Sequence, residues 1–306
     1  MLKVHHVRDL DLRQPPQLGR PSHLSAASGL VEAGAFLYVV ADDEFHLGVF
    51  PTSGKEAGTL LRLRPGALPD APAARKAAKP DLEALARIAP SPNHPGGALF
   101  AMGSGSRPNR RAGFVIELEE QGAAISSPRC VDLSGIFAAF DDQVKDVNIE
   151  GAMLDGERMR LLQRGNKGHG RNAVIELNCE RLNHRLRHDD SIGSAELRHI
   201  SYFDLGDVQG VPLCFSDGVA LPDGSTVFTA VAEDTDDNYA DGRCVGAAVG
   251  IINASGNLRA LRRLVRPLKI EGIHAHIDGN LLRVLLATDA DDPQIPASLY
   301  TAELAR

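Results

Sequence analysis

The chain has 306 residues, with 40 acidic side chains against 33 lysines and arginines, for a net charge of −7. That balance argues against a general binder of nucleic acid or of anionic membranes, which would carry a basic surplus. No stretch approaches the roughly 18 consecutive apolar residues of a membrane span, and the opening MLKVHHVRDLDLRQPPQ holds no apolar run of signal-peptide length. Cys130, Cys179, Cys214 and Cys244 form no CxxC pair and read as reduced thiols, so a cytoplasmic protein is expected.

In chain order, the strand-like VHHVRDLDL comes first and stands alone. A phrase then begins at Ser28, SGLVEAGAFLYVVADD. Residues 65–80, PGALPDAPAARKAAKP, read as a surface excursion rich in Pro and Ala. A second phrase, DLEALARIAPSPNHPGGALFAMGSGS, carries Glu83, and residues 133–145 after it are expected to make one short helix. NIEGAMLDGERMRLLQRGN carries Glu150, and ELRHISYFDL reads as a single outer strand. SDGVALPDGSTVFTAVAED carries Asp217 and KIEGIHAHIDGNLLRVLLATD carries Glu271.

The phrases share one grammar. A polar or acidic start leads into small and apolar residues, and then to a hairpin turn such as Asp155-Gly156 or Asp278-Gly279. A second apolar run follows, then a polar loop, then a third run such as GFVIEL or NAVIEL. The repeat averages about 60 residues, and its runs are strand-length. Units of three or four antiparallel strands, none able to bury its faces alone, are the material of a β-propeller. The expected fold is therefore all-β: one domain over residues 1–306, a five-bladed β-propeller with blades starting near 28, 83, 150, 217 and 271. The last blade has room for three strands, so residues 1–20 are expected to supply its fourth and close the ring.

In a propeller the first strand of each blade lines the axis. Glu83, Glu150, Asp217 and Glu271 are thus expected to converge there, with Ser28 as the fifth member. Clustered oxygen ligands suit Ca²⁺, or less often Mg²⁺. Carboxylates that only cap strand ends and bind channel water are the plainer reading. GSGSRPNRRAGFVIEL and QRGNKGHGRNAVIEL supply basic loops after the second strands, with Arg107, Arg110, Arg111, Arg164, Asn166, Lys167, His169 and Arg171 as candidates for binding a small anion. The matching loops of the other blades are acidic (Asp42, Asp43 and Glu44; Glu233, Asp234, Asp236 and Asp237; Asp289, Asp291 and Asp292), so one half of the rim is expected positive and the other negative. His274 and His276 share a strand face, a spacing found in transition-metal pairs and more often in ordinary paired histidines. The chain contains no G-x-S-x-G elbow, phosphate-binding GxxxxGK[ST], HExxH or EF-hand loop.

The acid-Gly phrases NIEGAM, SDGVAL and KIEGIH resemble those of a loose group of bacterial propellers. They are similar to the five-bladed SdiA-regulated-like proteins, to esterase-like and phytase-like propeller domains, and to the calcium-activated nucleotidases. The resemblance implies channel ligation by Glu83, Glu150, Asp217 and Glu271. The functional expectation is a metal-dependent hydrolase of a phosphoester or lactone, acting on a small anionic substrate at the channel mouth. Its alternative is a non-catalytic propeller that binds a ligand or a protein partner.

Overall fold

In the computed structural model, which describes residues 1–125, 127–166, 168, 171–235 and 242–305, five four-stranded antiparallel sheets surround one axis. The chain opens with β1 (His5–Asp9). Blade one is β2 (Ala27–Ala33), β3 (Phe36–Ala41), β4 (His46–Pro51) and β5 (Thr59–Arg62). Helix α1 (Pro72–Ala78) leads to blade two, β6 (Leu82–Ile88), β7 (Ala98–Gly103), β8 (Ala112–Glu117) and β9 (Arg129–Asp132). Helix α2 (Ser134–Ala138) precedes blade three, β10 (Ile149–Asp155), β11 (Arg158–Gln163), β12 (Asn172–Asn178) and, after α3 (Leu182–His188), β13 (Glu196–Phe203). A small hairpin, β14 (Asp207–Val208) and β15 (Val211–Pro212), leads to blade four, β16 (Cys214–Ala220), β17 (Thr226–Asp234), β18 (Arg243–Ile252) and β19 (Leu258–Arg263). Blade five is β20 (Ile270–Asp278), β21 (Leu281–Thr288) and β22 (Ser298–Ala305).

The fifth sheet has the order β1-β22-β21-β20, so the first strand of the chain completes the last blade, as the sequence led one to expect. The same segment bridges to its flanks on both sides, Leu2 to Leu264 and Leu12 to Gly58. Leu10 is fully buried beside Leu24 and Leu299. The excursion at 65–80 contains a helix, α1, entered through Pro72 at its first turn, where a missing N–H costs nothing. Helix α2 occupies only part of the expected 133–145 and buries Ile136 and Phe137. Helix α3 carries no signal that separated it from the loops around it.

The hydrophobic core is distributed between neighbouring blades. Phe100, Phe137, Phe140 and Ile175 pack in one such interface. In another, Phe215 and Phe228 meet edge to face at 4.9 Å. Gly250 lies flat on the Phe228 ring, and a Cβ there would sit 2.2 Å from Phe228 Cζ.

Around the axis, β2, β6, β10, β16 and β20 each pack against the next, and β20 returns to β2. All five carry a register shift near their start, and the residue skipped by the ladder is Ser28, Glu83, Glu150, Ser216 or Glu271. A bulge of this kind re-aims the extra side chain out of the sheet. The strands approach so closely beyond it that a Cβ on Gly151 would lie 3.0 Å from the backbone nitrogen of Gly218.

Blade four corrects the sequence alignment by one residue. Its bulged residue is Ser216, so Asp217 holds the place that Gly151 and Gly272 hold elsewhere. A one-residue slip sends a side chain to the other face. Asp217 Oδ1 accepts the N–H of Gly218 at 2.7 Å and Oδ2 accepts that of Ile273 at 2.8 Å. Asp217 therefore ties blade four to blade five and does not line the central cavity.

The clasp predicts a stability effect. Leu10→Ala, in urea denaturation, is expected to cost about 2–5 kcal/mol, the usual loss for truncating a fully buried leucine. A cost below about 1 kcal/mol, the range of an exposed site, would show that the N-terminal segment is not part of the core.

Candidate functional site

A cavity of about 360 Å³ opens at the end of the axis where the innermost strands begin. The bulged Ser28, Glu83, Glu150 and Glu271 line it, joined by residues that follow the second strand of each blade.

One side is built by blades one and two. The Lys79 ammonium pairs with Asp42 and, at 2.9 Å, with Asp81 Oδ1. Asp81 Oδ2 also receives Arg110 Nη1 at 2.7 Å and the Ser104 hydroxyl at 2.5 Å. One carboxylate oxygen from each of Asp42, Asp81 and Glu83 lies within 4.8 Å of the others.

The other side is built by blades three, four and five. Arg164 pairs with Glu233, and its Nη1 lies 3.4 Å from Glu150 and 3.5 Å from Glu271. Lys269 contacts Asp291, lies 3.0 Å from Glu233, and is 3.7 Å from both Glu271 and Asp289. Asn148 Nδ2 donates to Glu150 Oε1 at 2.6 Å.

Charge does not balance here. Lys79 and Arg110 face Asp42, Asp81 and Glu83, while Arg164 and Lys269 face Glu150, Glu233, Glu271, Asp289 and Asp291. With Asp43, Asp70, Asp292, Arg20, Arg75 and Lys76 at its edge, eleven carboxyl groups line the cavity against seven cations. Uncompensated buried charge is expensive, so the excess must be met by bound protons or by an added cation.

The carboxyls respond accordingly. Burial, then the charges of Glu150, Asp81 and Asp42, push Glu83 well above the usual carboxylate range. Burial lifts Glu150 to about 8 against the pull of Arg164, with Glu271 adding to the rise. Burial lifts Glu271 to about 7 against Arg164 and Lys269. Asp289 is likewise raised by burial, with Lys269 opposing. For Asp81 burial acts upward, but Lys79 and Arg110 outweigh it and keep the group ionised.

The structure brings Glu83, Glu150, Glu271, Arg110, Arg164 and Asn166 to the cavity. The remaining basic candidates do not form one anion site with them. Arg111 is engaged by Asp141 at 2.5 and 2.9 Å and lies over the Phe137 ring. Arg171 stacks on Tyr202 at 4.0 Å, and the exposed Arg107 does not line the cavity. Lys167 and His169, like Asp236 and Asp237, lie outside the described residues. From the acidic loops, Asp42, Asp43, Glu233, Asp289, Asp291 and Asp292 do reach the cavity wall. On β20, burial pushes His274 down to about 4, while His276 is exposed.

Sequence reasoning missed Lys79, Asp81, Asn148 and Lys269. The signal was present: Asp81, Asn148 and Lys269 each stand two residues before a bulged acid, the spacing that returns a side chain to the same face of a strand.

The architecture and its charged hub define a five-bladed β-propeller. Within that class, residues 23–304 match the profile of DUF6929, a family of unknown function, and the chain belongs to it. No curated protein matches the chain. Among solved structures it is similar to a luciferin-regenerating enzyme, at 12% identity over 92% of each chain with a TM-score of 0.46. It is also similar to MPT-4, a mannose phosphorylase from Leishmania mexicana, at 14% identity over 97% of this chain and 88% of that one, with a TM-score of 0.48. A member of the DUF4221 family from Bacteroides vulgatus shares 10% identity over 99% of this chain and 98% of its own, with a TM-score of 0.42. Likenesses this distant carry no argument about activity.

The raised carboxyls set a pH dependence. Their protons are held more tightly in the folded chain than in the unfolded one, where a glutamate titrates near 4.5. The resulting stability is fully present below pH 4.5 and is lost as pH rises through about 7 to 8. Glu150→Gln is expected to make that decline shallower in urea denaturation run from pH 5 to pH 8. An unchanged slope would show that Glu150 is ionised throughout.

Proposed function

We propose that the hub is a hydrolytic site for a small phosphoester or lactone, working with a divalent cation held by Asp42, Asp81 and Glu83. The observation that carries this reading is the excess of carboxyl groups converging on one cavity, Asp81, Glu150 and Glu271 among them buried. The donor set is all oxygen, which suits Ca²⁺ or Mg²⁺ rather than a thiophilic ion. Lys79 already spans Asp42 and Asp81, and its ammonium would share that space with the ion.

A bound cation would supply Lewis acidity and an activated water. The chain's own groups do the rest. Glu150 holds its proton at neutral pH and is suited to protonate a leaving oxygen, as a buried general acid does. Glu271, near 7, exchanges a proton readily. Lys79 and Arg110 on one wall and Arg164 on the other orient the substrate. An anionic substrate enters as a partner of the cation, because the bare lining is negative. Cys214 lines the cavity, but burial lifts its thiol to about 11, so it is not a thiolate nucleophile. All four cysteines are unpaired, which suits a reducing cytoplasm.

A non-catalytic binding propeller is the second reading. Proton uptake alone can neutralise the hub, since Glu83, Glu150, Glu271 and Asp289 are all raised.

Thermal melting with chelator and then with Ca²⁺ or Mg²⁺ separates the two. An ion at about 100 times its Kd stabilises the fold by roughly 2.7 kcal/mol. Glu83→Gln is expected to reduce that gain, and Glu150→Gln to lower turnover of the phosphoester or lactone at least about a hundredfold if it is the general acid. Absence of both bound ion and melting shift ends the metal reading. Unchanged turnover in Glu150→Gln removes that residue from catalysis.

A further inference from the structure

The face opposite the cavity carries a second cluster with chemistry of its own. Strands β6 and β12 both run away from the hub, so the loop after β6 and helix α3 after β12 emerge together on the far face. Helix α3 of blade three is fixed there to blade two. Arg187 Nε donates to Glu117 Oε1 at 3.0 Å, and Arg187 Nη2 to the Ala89 carbonyl at 3.4 Å.

This docking assembles three imidazoles. His184 and His188 stand one helical turn apart on α3, with ring centroids 4.6 Å apart. His94, from the loop of blade two, has its ring 6.1 Å from that of His188. The His94 backbone is pinned by reciprocal hydrogen bonds with Ser91 at 2.9 and 3.0 Å. Its Nδ1 lies 3.3 Å from Glu117 Oε2. A carboxylate on one ring nitrogen is the arrangement that fixes a ligating histidine and leaves Nε2 to bind.

We propose that His94, His184 and His188 bind a borderline divalent ion, Zn²⁺ above all, that clips α3 of blade three to blade two. Imidazole nitrogens suit this class of ion. His184 and His188 are exposed, so their rings can turn onto a common ion at the roughly 2.0–2.1 Å of a Zn–N bond. Three protein ligands leave one tetrahedral position for water. Two nearby arginines already have anionic partners: Arg187 has Glu117, and Arg185 has Asp189 at 3.3 Å.

The test is calorimetric titration of the full chain, free of any polyhistidine tag, with ZnCl₂, supported by the visible spectrum of the Co²⁺ form. One ion per chain is expected at this site. His94→Ala and His188→Ala are each expected to weaken binding by more than about tenfold, and Glu117→Gln by about ten- to a hundredfold. Asp42→Asn and Glu83→Gln in the hub should leave this binding unchanged, which separates it from any ion in the cavity. His184→Ala and His188→Ala, at exposed positions, should melt with the wild type when no metal is added. Zn²⁺ affinity unaffected by the three histidine variants would overturn the proposal. So would loss of binding in His184→Ala and His188→Ala with full affinity in His94→Ala, because that pattern describes a helix-face pair and no clip between blades.

Discussion

The structure turns on a charge imbalance held at its axis. Eleven carboxyl groups and seven lysines and arginines line one cavity. A lone buried carboxylate would be driven into its neutral form. Here the field is graded. Asp81, between Lys79 and Arg110, stays ionised, while Glu83, Glu150 and Glu271 are pushed toward protonation. The hub therefore holds both ionised and protonated carboxyl groups side by side.

That imbalance is made by the backbone. In each innermost strand one residue is skipped by the ladder, and in blades one, two, three and five its side chain lines the cavity. In blade three the next position must be small, since a Cβ on Gly151 would lie 3.0 Å from the backbone nitrogen of Gly218. The acid and the glycine after it are one device: the first supplies the charge, and the second lets the strands close around it. The clasp of β1 on β22 holds the ring shut, so the cations of blades two, three and five stay opposed to the acids of their neighbours.

The two faces of the molecule carry different donor sets. The cavity face gathers oxygen ligands and ammonium or guanidinium groups. The far face brings imidazoles from two blades within 6.1 Å, through a helix inserted between the last two strands of blade three. Oxygen and imidazole donor sets suit different ions.

The repeated phrases by themselves determined the five blades, the closing strand, and the arrival of Glu83, Glu150 and Glu271 at the axis. Those features follow from periodicity and turn chemistry, which are local properties of a strand sequence. Asp217 shows where local reading fails. SDG looks like IEG, but the ladder skips Ser216, and whether a bulge falls one residue earlier is decided by pairing with β17, not by the residues in the phrase. Asp81, Asn148 and Lys269 were within reach of the alternation rule, although nothing in the chain says which groups they meet. Only the tertiary structure decided that, and only it separated Arg164, set among three glutamates, from Arg111 and Arg171, which found partners of their own. Ion pairs and the histidine cluster join residues from different blades, and the distance between blades is a property of the closed ring.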